Sequence, residues 1–266
     1  MTYRPPIRAT IAAVVLGAFT FIPIASSAQS GIGFQDAQVA VTYGQGKTTI
    51  VQQADASVDV AITRSHGLQL DLGVADYPDA YFGQIGAHLH LAPGNSAKYG
   101  LFARYADPKR RASWDVSVGV EGMWNFGRAL SVEARAGVGV MAPQSKDYIF
   151  ADFRGRQTFT DTFGIYGGYS IMDMQEKSLT ARAGTLSLGV TYAMPNAPVE
   201  LSLGLEHVTV NGDVSVDSEV RLTGMITMHL GAPRAATAGV RERRFTPTRP
   251  LNALLTHDLL DLSTTR

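Results

Sequence analysis

Between residues 113 and 142 the chain alternates apolar and polar side chains with a period of two. Trp114, Val116, Val118, Val120, Trp124 and Phe126 form the apolar series, and Asp115, Ser117 and Glu121 stand between them. After Gly127, Arg128 and Ala129 the series resumes as Leu130, Val132, Ala134, Ala136, Val138 and Val140, interleaved with Ser131, Glu133 and Arg135. Successive side chains of a β-strand point to opposite faces, so the segment predicts a hairpin with one apolar and one polar face. The pattern recurs at residues 39–43, 58–62, 68–74, 81–91, 99–105, 149–153, 163–171, 186–192, 199–205 and 220–230. Turn residues separate these segments, and the total is about twelve strands. The segment near 147–155 is the weakest, because "RGRQTFTD" also reads as loop. An even strand number, which brings both ends of a barrel to one side, favours it; ten strands is the alternative.

A soluble sheet turns its apolar face into a core, whereas a membrane barrel turns it to lipid. Length and aromatic placement separate the two. The run from Trp114 to Phe126 spans 13 residues, against about 5 or 6 in an average soluble strand. Trp114 and Trp124 stand ten residues apart. In a tilted strand that is roughly 25 Å along the membrane normal, the height of the apolar band of such barrels. The rings also sort by strand end. Tyr99, Trp124, Phe126 and Tyr192 flank one set of turns, and Tyr43, Tyr81, Tyr105 and Trp114 lie toward the opposite rim. Two aromatic girdles are what two membrane–water interfaces select.

The beginning of the chain reads as an export signal. "MTYRPPIR" is a basic head, "ATIAAVVLGAFTFIPI" is an apolar segment, and Ser26, Ser27 and Ala28 are small residues suited to cleavage before Gln29. A membrane anchor is the alternative reading; Pro23 and the shortness of the apolar run oppose it, since a spanning helix needs about 20 apolar residues.

On these residues the sequence resembles the Gram-negative outer-membrane β-barrels, porin-like proteins among them, over positions 36–230. The resemblance lies in pattern and in no single motif. It implies an all-β fold, a transmembrane antiparallel up-and-down barrel in the cell outer membrane. The bilayer, lipopolysaccharide and the barrel-insertion machinery would be its partners. The chain departs from such barrels at its end: the last strand closes on "MITMHL" rather than on an aromatic residue, and 36 residues follow.

Charge then refines the picture. Residues 234–266 hold six arginines against Glu242, Asp258 and Asp261, and Arg4 and Arg8 lie in the signal, so the middle of the neutral chain is acidic. Parity places Asp59, Asp71, Asp115, Glu121, Glu133, Glu200, Glu206 and Glu219 inside the barrel, with Arg104, Arg135 and Arg221. A three-residue turn at 127–129 sets Phe126 opposite Leu130 and Glu121 opposite Arg135, a pair worth roughly 0.2–1 kcal/mol that helps fix register. Inward Gly73, Gly86, Gly119, Gly137, Gly139, Gly189 and Gly204 keep the wall low. A barrel of about twelve strands lies between those filled by side chains and those enclosing a water channel. A lumen rich in carboxylates favours cations. The function expected is therefore a small, passive, weakly cation-preferring channel for polar solutes. A structural barrel without transport and a lipid-modifying enzyme are the alternatives.

Candidate chemistry is sparse. With no cysteine there is no disulfide or thiolate metal site. His88, His90 and His229 fall on inward positions, but spacing identifies no third ligand, so no metal site is assigned. No histidine stands with a serine on the lipid face, and His207 is equally unsupported, so no catalytic residue is assigned. The absence of a glycine-rich phosphate loop leaves no cofactor and no nucleic-acid partner indicated. At the outer rim "DPKRR" (107–111) is suited to the anionic groups of lipopolysaccharide. The domains expected are a signal peptide at 1–28, a barrel at 29–233 and a basic, mostly disordered periplasmic tail at 234–266. Within the tail "LNALLTHDLLDL" (251–262) has apolar residues at helical spacing, and a periplasmic partner for it is conceivable.

Overall fold

A computed structural model describes residues 33–230, apart from 48, 78–79, 110–113, 128, 143–144, 177–178 and 214–215, together with residues 239–256. The expected signal peptide and residues 257–262 of the expected helix fall outside the described residues, as do Arg110 and Arg111.

Twelve antiparallel strands close into one barrel. They are β1 (Gly33–Gln45), β2 (Ile50–Ala61), β3 (His66–Tyr77), β4 (Ala80–Leu91), β5 (Ala97–Lys109), β6 (Trp114–Phe126), β7 (Leu130–Ala142), β8 (Lys146–Thr158), β9 (Phe163–Glu176), β10 (Leu179–Ala193), β11 (Val199–Gly212) and β12 (Val216–Leu230). Each strand pairs with the next, and β12 returns to β1, with Ala37 opposite Leu230. Closure satisfies every edge, the condition for strands to cross a bilayer. The doubtful strand exists as β8, and "RGRQT" belongs to it, paired with β7 and β9; the ten-strand alternative is excluded.

The register of the β6–β7 hairpin is the one expected, with Phe126 opposite Leu130 and Glu121 opposite Arg135. Gly127 makes this turn at φ +69°, a backbone state that costs a glycine nothing.

The barrel is inside out relative to a soluble protein. Leu188 is 65% exposed and Leu101 60%, while Gln69 is fully buried and Asp59 is 1% exposed. The outward belt also includes Leu72, Ile85, Val118, Val120, Val138, Ile149, Leu203 and Leu222. An apolar belt this continuous is compatible with lipid and not with water. Among the described residues no helix is long and apolar enough to cross a membrane.

The aromatic residues sit on the outer surface near the strand ends. Tyr43, Tyr81, Tyr105 and Trp114 lie toward one end, and Tyr99, Trp124, Phe126 and Tyr192 toward the other, where both β1 begins and β12 ends. The ring of Trp124 meets that of Tyr99 edge-on at 6.0 Å.

Many inward positions toward the end away from the termini are themselves apolar: Phe82, Phe102, Tyr148, Phe150, Met172, Met174, Val208 and Val210 are buried. Glycines make room for them. A Cβ on Gly137 would stand 2.7 Å from the Phe150 ring, and one on Gly139 would stand 2.2 Å from that of Tyr148. The low wall expected from the inward glycines is thus filled, in part, by neighbouring rings.

The extension after β12 differs most from expectation. Residues 239–256 do not hang from the barrel as a periplasmic tail; they run inside it. A single 3-10 turn (Val240–Glu242) is followed by extended chain and a short helix, α1 (Asn252–Thr256). Phe245 and Leu254 are fully buried. The reason is complementarity of two kinds: the arginines meet a carboxylate-rich wall, and the leucines meet the apolar layer.

Candidate functional site

The C-terminal segment enters at the end where the termini lie. There the Val240 N–H donates to the Asn95 carbonyl at 3.1 Å, and the Arg241 guanidinium donates to the Ala92 carbonyl at 3.1 and 3.2 Å. Both acceptors belong to the β4–β5 turn. Val240 and Phe245 pack with Met123 of β6.

Deeper in, the wall holds the main chain of the segment. Lys98 donates to the Arg243 carbonyl at 2.8 Å. Gln69 donates to the Phe245 carbonyl at 2.8 Å and accepts from the Phe245 N–H at 2.9 Å. Glu133 accepts from the Thr246 N–H at 3.0 Å, and Arg135 donates to the Thr246 carbonyl at 2.6 Å. These contacts satisfy backbone groups that would otherwise be buried without partners, at a cost of about 1–3 kcal/mol each.

Side chains add charge pairing. Arg244 meets Asp36 at 2.5 Å, and Arg249 meets Asp55. Arg243 donates to the Ser131 hydroxyl at 2.6 Å, and Thr246 donates to Glu133 at 2.9 Å. The Phe245 ring stacks on His88, centroids 5.9 Å apart and planes 15° apart, with the Lys98 ammonium 5.2 Å from its centre. Past Arg249 the Tyr77 hydroxyl donates to Asn252 at 2.5 Å. Leu251, Ala253, Leu254 and Leu255 then join the apolar layer of Phe82, Phe102, Phe150 and Met172.

The wall is also bonded to itself. His88 lies between Asp71 (2.9 Å) and Glu121 (2.7 Å), and His90 meets Asp59 at 3.0 Å. Arg104 pairs with Asp115, which also accepts from Tyr148. In the opposite sector Arg156 forks onto Glu200 at 3.0 and 2.7 Å, Arg221 meets Glu206 at 3.2 Å, and Glu219 accepts from the Thr49 hydroxyl at 2.6 Å.

The structure therefore places Asp59, Asp71, Arg104, Asp115, Glu121, Glu133, Arg135, Glu200, Glu206 and Arg221 inside the barrel, but sorts them into groups. Asp59, Asp71, Glu121, Glu133 and Arg135 gather around the segment. Glu200 pairs with Arg156, and Glu206 with Arg221, in the β8–β12 sector. Sequence reasoning missed Asp36, Asp55, Gln69, Lys98 and Asp152 as wall residues. Lys98 is fully buried and shares parity with Arg104, and Asp55 shares parity with Asp59. Both precede the first outward apolar residues, Val58 and Tyr99, that mark β2 and β5 in the sequence.

Glu121 and Arg135 are opposite in register, yet their closest approach is 3.6 Å. Arg135 binds Glu133 and Thr248 more closely and lies 3.9 Å from Asp152, and Glu121 is engaged with His88. The double exchange Glu121→Arg with Arg135→Glu is therefore expected to destabilise the barrel by about 3 kcal/mol or more. It would set an arginine against His88 and a glutamate beside Glu133 and Asp152. Unfolding of the refolded variant, followed by heat-modifiable gel mobility, checks this.

His88 and His90 are engaged by carboxylates, and both rings meet that of Phe245. Among the described residues no group of three or more His, Asp or Glu side chains is arranged to hold a metal ion. His207 lies on the exposed side of β11.

No family model matches the sequence, and no curated protein does. Solved structures match in fold. An outer membrane channel from Pseudomonas putida F1 superposes with a TM-score of 0.54 at 10% identity, covering 79% of this chain and all of that one, 100%. The NanC porin superposes with a TM-score of 0.57 at 9% identity, covering 72% of this chain and 98% of its own. LpxR from Salmonella typhimurium is a looser match, with a TM-score of 0.47 at 10% identity over 72% of this chain and 99% of that one. Identities this low establish architecture and not activity. The protein is a closed twelve-stranded antiparallel barrel that shares its fold with these outer-membrane channels and porins, with its own C-terminal segment running through the lumen.

Proposed function

We propose that the protein is an outer-membrane channel, cation-preferring and suited to small polar solutes, that residues 239–256 hold shut. The observation that carries this reading is the charge match between wall and segment. Along β1–β7 the inward carboxylates of Asp36, Asp55, Asp59, Asp71, Asp115, Glu121 and Glu133 outnumber Lys98, Arg104 and Arg135, and Arg244 and Arg249 supply compensating charge. Seated, the segment occupies the lumen along the wall formed by β1–β7. With the segment gone, the same wall presents an excess of negative charge, which a low-dielectric enclosure focuses on passing cations. The basic extension and the acidic barrel are two halves of one device.

A barrel that only supports the envelope is the second reading, favoured by the extent to which wall charges already pair with one another. A lipid-modifying enzyme draws no support from His88 and His90, which face the lumen. Planar-bilayer recording separates the first two. Wild-type protein should stay mostly closed, whereas Arg244→Ala with Arg249→Ala, refolded to the heat-modifiable form, should conduct with a reversal potential on the cation side. Silence from the folded double variant, or anion preference, would move the assignment to the structural reading.

A further inference from the structure

We infer that the lumen is a binding site for extended, arginine-bearing peptides, which residues 243–249 fill in cis, and that a peptide supplied in trans takes their place. The inference deepens the gated-channel reading by naming a ligand class, and rests on it only in requiring that the segment can leave.

Two observations carry it. The first is that the wall recognises main chain. Lys98, Gln69, Glu133 and Arg135 between them bind the carbonyl of Arg243, both backbone groups of Phe245 and both backbone groups of Thr246. Such contacts fix the direction and extension of a strand and need no particular side chain. Specificity then comes from what flanks them: Asp36 receives Arg244, Asp55 receives Arg249 five residues on, and the His88 ring receives the intervening aromatic. In extended chain those two arginines stand roughly 16 Å apart.

The second observation is that the binding groups are held by the barrel and not by the occupant. Gln69 donates to Asp71 at 2.9 Å, His88 is fixed between Asp71 and Glu121, and Lys98 lies 3.4 Å from Asp59. All of them stand on strands whose register is set by the closed sheet. A site ordered before its ligand arrives avoids the entropic cost of forming on binding. The ligand class is therefore a cationic peptide with arginines at i and i+5 and an aromatic residue at i+1, entering from the end where the termini lie. A polyamine matches the carboxylates but offers no main chain to Gln69 or Glu133.

The test keeps the full chain. A specific protease sequence is placed within residues 231–238, the protein is refolded and cut, and the released segment is washed out in high salt and counted by mass spectrometry. A fluorescent peptide of sequence 239–256 is then added and its anisotropy followed. It should bind, and unlabelled peptide should displace it. The peptide carrying Arg244→Ala and Arg249→Ala should compete at least about tenfold less well, as loss of charge-assisted hydrogen bonds requires. A peptide of reversed sequence should also compete poorly, and spermine should not displace it at equal charge. Equal competition by the reversed peptide or by spermine would overturn the inference in favour of a charge-only site. Failure of any peptide to enter would overturn it too, whether the resident segment never leaves or the emptied lumen ignores the peptide. Conductance of the emptied sample is recorded separately. Current without peptide binding sinks this inference alone, and binding without current sinks the channel reading alone.

Discussion

Replacing Val120 by arginine is expected to destabilise the folded barrel by about 2–4 kcal/mol. Val120 is the central residue of β6, the seventh counted from either end, and is 57% exposed on the outer surface. If that surface meets hydrocarbon, a guanidinium there has neither water nor a partner within reach. Val118, 47% exposed, should respond similarly. The cost must fall with distance from the midplane, so Phe126→Arg at the rim should cost only about 0–1 kcal/mol. Reversible denaturant unfolding from lipid vesicles reads all three. A flat response along β6 would mean that water, or protein, covers this face. Ser117 is not the mild control that parity alone suggests. It is 1% exposed inside the lumen, where a long side chain would overpack Arg104 and Tyr148.

The second large effect concerns the seating of the segment. Asp36→Asn should weaken it by about 3–5 kcal/mol, the cost of leaving a buried guanidinium without its carboxylate. The Arg244 side chain is 1% exposed and that of Asp36 10%. Hydrogen exchange at the Phe245 and Thr246 amides is the appropriate readout, since both bond to wall side chains rather than to the sheet. A shift of that size corresponds to exchange faster by roughly two to nearly four orders of magnitude. Replacing the pair by apolar residues, Asp36→Leu with Arg244→Met, should recover most of the loss, because buried ion pairs are often no more stabilising than packed hydrophobes. Unchanged exchange in Asp36→Asn would show that Arg244 does not anchor the segment.

The barrel was legible in the sequence because its determinant is local. A period of two, broken by turns, gives strand count, facing and even the β6–β7 register, since a slip of one residue would turn every side chain to the wrong face. Even the weakest strand followed from parity. The plug was not legible, because nothing local in "RERRFTPTRPLNALL" says what it meets. Prolines and arginines without periodicity read as linker when no partner is in view. The signals lay in two places that had to be joined. One was the acidic excess of the barrel against the basic excess of the extension. The other was the run of apolar residues at Phe82, Phe102, Phe150, Met172 and Met174, which stand between the outward residues of their strands and which a water-filled channel would not carry. His88 shows the same limit: its inward facing was readable, but its place between Asp71 and Glu121 depends on three strands at once.

Limited trypsin digestion of the folded, unmodified protein in detergent tests the central claim most directly. Arg243 and Arg244 are followed by bonds that a free basic tail would surrender at once, and here Arg244 is buried in the lumen with its neighbours hydrogen-bonded to the wall. The account predicts that these two bonds survive for as long as the barrel keeps its folded gel mobility and are cut only after heating. Rapid cleavage at Arg243 and Arg244 from an intact barrel would contradict it.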